Sequence, residues 1–62
     1  MFIKAEELKA GDTLKTLWKG HPSTIKSFRP YTGPIDFVLC IAEFTDGDAM
    51  SLEKGHYYDC ID

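Results

Sequence analysis

Sixty-two residues leave room for one domain, and a chain this short buries only about 60% of the surface it exposes when unfolded, so its margin of stability is thin. An apolar share of 44% is too high for a disordered chain, no apolar run approaches the ~20 residues of a membrane-spanning helix, and the opening Met1-Phe2-Ile3-Lys4-Ala5-Glu6-Glu7 lacks the apolar stretch of a signal peptide, so a cytoplasmic protein without membrane contact is expected. The net charge of −3 weighs against nucleic acid as the main partner, yet the charge is uneven: six cations against three carboxylates over residues 1–31, one against seven over residues 32–62.

Along the chain, Phe2 and Ile3 read as a short strand. Lys4 to Ala10 is rich in helix formers but is stopped by Gly11, so it supports one helical turn at most. Leu8-Lys9-Ala10-Gly11-Asp12 then reverses the chain, with a positive φ at Gly11 and the Asp12 carboxylate bonded to backbone two residues on. Thr13-Leu14-Lys15-Thr16-Leu17-Trp18, β-branched and aromatic, predicts the first long strand. Lys19-Gly20-His21-Pro22-Ser23 predicts a loop and Thr24-Ile25-Lys26-Ser27-Phe28-Arg29 a second strand. Ile25 and Phe28 are three apart, so either a bulge turns one of them inward or one faces solvent. Pro30-Tyr31-Thr32-Gly33-Pro34 is a second loop, because proline fixes φ and removes a ladder donor.

Ile35 to Phe44 predicts the core strand. Its apolar run from Phe37 to Ala42 implies burial on both faces or a bend that exchanges them, with Val38, Cys40, Ala42 and Phe44 as a second apolar face behind Phe37, Leu39 and Ile41. Thr45-Asp46-Gly47-Asp48 predicts a type I′ hairpin with Asp46 and Gly47 at its tip, Phe44 opposite Ala49 and Ile41 opposite Leu52. Ala49-Met50-Ser51-Leu52 is the return strand, Glu53-Lys54-Gly55 a turn, and His56 to Ile61 the final strand.

These signals predict a single all-β domain over residues 1–62, with at most one helical turn: a small five-stranded, strongly bent antiparallel sheet or barrel, whose curvature disposes of exposed edges. The Leu-x-x-Gly-Asp turn at Leu8–Asp12 and the Phe-x-Asp-Gly hairpin at Phe44–Gly47 resemble those of small Src-homology-3-type β-barrel modules that occur as standalone bacterial and phage proteins. Both motifs are structural punctuation, so the resemblance implies a barrel fold and no activity; standalone acidic barrels of this size often occur in phage and mobile elements, which fits a small phage or bacterial accessory or regulatory protein. The Ala-Leu-Tyr-Asp-Tyr stretch and Trp-Trp pair of members that bind proline-rich peptides are absent from the sequence.

Reactive residue types are present, but not in reactive spacing. Cys40 and Cys60 lie twenty residues apart with no Cys-x-x-Cys pair, so they suit neither a zinc knuckle nor a redox motif, and a disulfide between them requires neighbouring strands. On a strand, the four-residue offset of His56 and Cys60 separates their side chains by roughly 13 Å, too far for one metal ion. Asp59 points to the opposite face from Cys60, which removes a catalytic triad. Asp46 and Asp48 belong to a turn, and no glycine-rich phosphate loop exists. No catalytic residue, metal site or cofactor is expected, and hence no enzyme.

The aromatics lead elsewhere. Trp18, Arg29, Tyr31, Tyr57 and Tyr58 are of the types that dominate protein–protein hot spots, and they form the candidate interface with a protein partner. Beside Lys15, Lys19 and Lys26, the same rings are also suited to stacking on unpaired bases, so a nucleic-acid-binding barrel is the alternative reading. A structural subunit of a larger assembly is a third. A homodimer through the core-strand edge, or through its second apolar face if that face is not covered internally, is a further reading.

Overall fold

Six strands and a single 3₁₀ turn make up the regular structure of residues 1–15 and 20–61, the part of the chain that the computed structural model describes. They are β1 (Phe2–Lys4), the 3₁₀ turn (Ala5–Glu7), β2 (Thr13–Lys15), β3 (Pro22–Pro30), β4 (Val38–Phe44), β5 (Ala49–Glu53) and β6 (Tyr57–Ile61). Every pairing is antiparallel, in the order β1-β6-β2-β3-β4-β5, and the sheet curls into a half-barrel. The all-β class is the one the sequence predicts. The count is six rather than five, because Phe2–Lys4 pairs along its whole length with β6. Among the described residues no helix is long and apolar enough to cross a membrane.

The core lies on the concave side. Leu14 sits level with Ser23 on one neighbour and Cys60 on the other, and Ile25 sits opposite Phe44. Together with Ala42, Leu52 and the 3₁₀-turn residues Ala5 and Leu8, the apolar members of these rows form one buried cluster. Two bulges set which residues join it. In β3 the register slips between Ile25 and Ser27, so Ile25 falls opposite Phe44 and is buried, while Phe28 falls opposite Ala42 on the same side of the sheet but stays 37% exposed outside the cluster. The predicted bulge is therefore real. In β4 the register slips again between Val38 and Cys40, so Leu39 and Cys40, neighbours in sequence, both pack against the core. That slip is the bend that exchanges faces, and it explains an apolar run that does not alternate.

Several boundaries differ from expectation. Pro22 and Ser23 belong to β3 rather than a loop, proline being tolerated at the first residue of a strand. Ile35 to Phe37 precede β4 in a turn and are exposed rather than part of a core strand. The face of Ala42 and Phe44, expected to be a spare apolar surface, is the core itself, and β4 lies between β3 and β5 without a free edge. Neither the β4 edge nor that face is therefore left open for a second copy.

The β4–β5 hairpin is where predicted, but of another type. Glu43 pairs with Ala49 and Ile41 with Ser51, one residue off the expected register. A type I′ turn needs Asp46 at positive φ, and no described non-glycine residue has one. The chain instead makes a three-residue loop: the Gly47 N–H donates to the Phe44 carbonyl at 3.2 Å, the Phe44 N–H donates to the Asp48 carbonyl at 2.8 Å, and only Gly47, at φ 94°, is left-handed. At the first reversal Gly11 has the predicted positive φ of 100°. There Asp12 reaches backward, its Oδ2 accepting from the Lys9 N–H at 3.0 Å.

Side chains and turn backbone, rather than a ladder, draw the two ends of the sheet together. The Glu53 N–H donates to Tyr58 Oη at 2.9 Å, the Gly55 N–H to the Glu6 carboxylate at 3.0 Å, and the Ala5 N–H to the His56 carbonyl at 2.8 Å. The Lys54 N–H donates to the Phe37 carbonyl at 2.8 Å, which ties the β3–β4 loop to the same corner.

Candidate interaction face

In β6, Tyr57-Tyr58-Asp59-Cys60-Ile61, alternation sends Tyr58 and Cys60 to the core and Tyr57, Asp59 and Ile61 to the convex side. On the edge strand Phe2 is opposite Asp59 and Lys4 opposite Tyr57, while Thr13 of β2 is opposite Ile61. Phe2 is therefore the diagonal neighbour of both Tyr57 and Ile61, within reach for large side chains. These three remain 67%, 57% and 44% exposed, although each is apolar or aromatic.

Asp59 stands among them. Its carboxylate takes the amino group of Met1 at 3.4 Å and Lys15 Nζ at 3.5 Å. The carboxylate is thus neutralised, and with Lys4 alongside Tyr57 the described residues at the rim of the face carry a surplus of positive charge. The convex side of β1, β6 and β2 presents an aromatic–aliphatic cluster in a cationic frame. Elsewhere, Arg29 Nη2 lies 3.7 Å from Glu43 Oε2 across the β3–β4 ladder, so part of the charge contrast between the two halves is spent on cross-strand pairs.

The residues singled out in the sequence fall in different places. Tyr57 lies on this face. Tyr58, next to it, turns inward: it is half-buried against the core and its ring centroid is 4.7 Å from that of His56. Burial, more than the Glu53 contacts, pushes its hydroxyl above the ordinary range. Tyr31 is half-buried and organises the β3–β4 loop, its Oη accepting from the Ile35 N–H at 3.3 Å while its ring lies across Gly33 so closely that a Cβ there would overlap it. Arg29 is on the convex side of β3, but from the Leu14–Ser23–Cys60 row β6 runs to Tyr57 in one direction and β3 to Arg29 in the other. The structure does not bring Tyr57 and Arg29 together. Trp18 lies outside the described residues.

Phe2 and Ile61 are absent from the sequence-based candidates. The signal for Ile61 is the strict alternation of β6. For Phe2 there is no local signal, since its place beside Tyr57 follows from the insertion of β6 between β1 and β2. A second exposed apolar group, Ile35 and Phe37, occupies the β3–β4 loop. Cys40 and Cys60 are not joined by a disulfide: Cys60 is buried with Sγ 3.5 Å from the Tyr58 carbonyl, and burial pushes the half-buried Cys40 thiol up. In comparisons with protein-family models, curated proteins and solved structures, nothing matches the chain.

Proposed function

We propose that this chain is a non-enzymatic binding module that acts through a protein–protein surface, namely the convex face of β1 and β6. The observation that carries this reading is the clustering of Phe2, Tyr57 and Ile61 at high exposure around a neutralised Asp59. Single exposed apolar residues are ordinary; three large ones in mutual reach are a docking surface. Tyr and Phe are rigid anchors, and the lysine rim favours a partner with acidic residues around an apolar patch. The role of a small phage or bacterial accessory protein rests on the small size and acidic balance of the barrel.

The test is affinity capture from a bacterial lysate with the wild-type chain and with a Phe2→Ala/Tyr57→Ala double variant as bait. A partner held by the wild type should be retained at least tenfold less by the variant, whose unfolding free energy in urea titration should stay within about 0.5 kcal/mol of the wild type because both rings are exposed. Equal retention by the two baits, or no specific partner, would remove the reading.

One observation supports the nucleic-acid alternative: two exposed rings with Lys4 and Lys15 beside them suit a single strand whose bases stack while its phosphates meet ammonium groups. Titration of a labelled oligothymidine separates the readings. Phosphate-driven binding weakens by at least tenfold between roughly 50 and 200 mM salt.

A further inference from the structure

A sheet that is only half closed keeps two edges, and each can pair with another chain. β1 is protected by being three residues long and by carrying Lys4. β5, Ala49-Met50-Ser51-Leu52-Glu53, has neither lysine nor proline, and among the described residues no strand of the sheet lies beyond it.

The hairpin dictates which backbone groups that edge offers. With Phe44 and Asp48 hydrogen-bonded, Met50 and Leu52, opposite Ala42 and Cys40, turn their N–H and C=O groups toward β4, and Ala49, Ser51 and Glu53 turn theirs away. Glu53 bears this out: its N–H meets Tyr58 Oη and its carbonyl accepts from the His56 N–H at 3.2 Å. Among the described residues the outward groups of Ala49 and Ser51 have no such partner. What remains is four backbone groups on two small, exposed residues.

We infer that this edge pairs with the same edge of a second copy of the chain, antiparallel about a two-fold axis at Met50. The register follows from the groups left over. Ala49 faces the second copy's Ser51, and Ser51 its Ala49, giving four backbone hydrogen bonds with the two Met50 side chains opposed on the concave side. A register with Ser51 on Ser51 would need the Glu53 groups that Tyr58 and His56 already hold. The chosen register also sets Lys54 of each copy level with Asp46 of the other, whose carboxylate already accepts from Ser23 Oγ, so opposite charges stand at both flanks. That mutual fit points to a second copy rather than an unrelated strand, and a two-fold contact closes on itself without propagating into fibres. The convex face of β1 and β6 stays free, so this dimer goes beyond the function proposed above and neither depends on the other.

Sedimentation equilibrium and amide exchange by NMR, at about 20 µM and about 1 mM wild-type chain, test the pairing by mass action. The weight-average mass should climb from 7.0 kDa toward twice that value. At the higher concentration the Ala49 and Ser51 amides should exchange several-fold more slowly, with Glu53 unchanged. Ser51→Pro, which removes a donor on the open side, should stay monomeric at both concentrations with an unaltered circular dichroism spectrum. If that variant does not fold, Lys54→Glu should weaken association at least threefold at low salt. A monomer at the higher concentration overturns the inference. So does a dimer in which Ala49 and Ser51 exchange as fast as in the dilute sample, which would place the contact on another face.

Discussion

Tyr58 and Cys40 both pack against the core on the concave side of the sheet, and a charge on the thiol weighs slightly on the phenol. Burial raises the pKa of both, from ordinary values of 10.0 and 9.0. The sign of the consequence is fixed by linkage. Each group holds its proton more tightly folded than unfolded, so its contribution is complete below the unfolded pKa and is lost as pH rises through the folded one. The urea midpoint should therefore be level from neutral pH to about 8.5 and fall beyond about pH 9, with Cys40→Ser delaying the fall and Tyr58→Phe flattening its upper part. Tyr58→Phe should also cost about 1 kcal/mol at neutral pH, because the Glu53 N–H loses its acceptor. Denaturation curves followed by circular dichroism between pH 7 and 11 check both. A level midpoint throughout would remove the roles given to these two side chains.

At the scale of elements, the two bulges decide what is inside. Deleting Lys26 would restore continuous pairing in β3 and turn either Ile25 or Phe28 to the wrong side, since a one-residue slip reverses every side chain beyond it. The expected loss is about 2 kcal/mol or more, a fall in melting temperature of roughly 10 °C for a domain of this size, measurable by thermal denaturation. What the sequence discloses, and what it hides, divides along the same line. The Gly11-Asp12 and Asp46-Gly47 reversals are legible because glycine's access to positive φ is a property of one residue. The odd spacing of Ile25 and Phe28 is a legible sign of a bulge because inward side chains must share a parity. The hairpin register is not legible: Asp-Gly serves both a two-residue and a three-residue loop, and the choice between them rests on pairing along β4. The site divides likewise. Tyr57 can be suspected from its type, but its orientation relative to Tyr58, and the approach of Phe2, depend on a strand order that no local pattern encodes.

The whole molecule, with a radius of gyration of 10.9 Å, has a small core, so single positions carry a large share of its stability. At roughly 0.05–0.15 kcal/mol per residue, a 62-residue chain has only about 3–9 kcal/mol to lose. Phe44 is fully buried at the junction of β3, β4 and the hairpin, and Phe44→Ala should cost about 3–5 kcal/mol, enough to unfold much of the population at 37 °C. Collapse of amide dispersion in a two-dimensional NMR spectrum would report it. The same truncation at Phe2 should leave the spectrum dispersed.

The sheet order also bears on how the chain is born. Among the described strands β6 is the last in sequence, yet it lies between β1 and β2, which precede all the others. A nascent polypeptide halted anywhere short of Ile61 has an N-terminal strand with nothing to lie against and lacks Cys60, which completes the Leu14 row. Folding must wait until the whole segment has left the ribosome and then proceed through contacts of long sequence separation, the slower end of the range for small domains. Until then the Phe2 segment is an exposed apolar tag, the kind of feature chaperones and proteases read as unfinished.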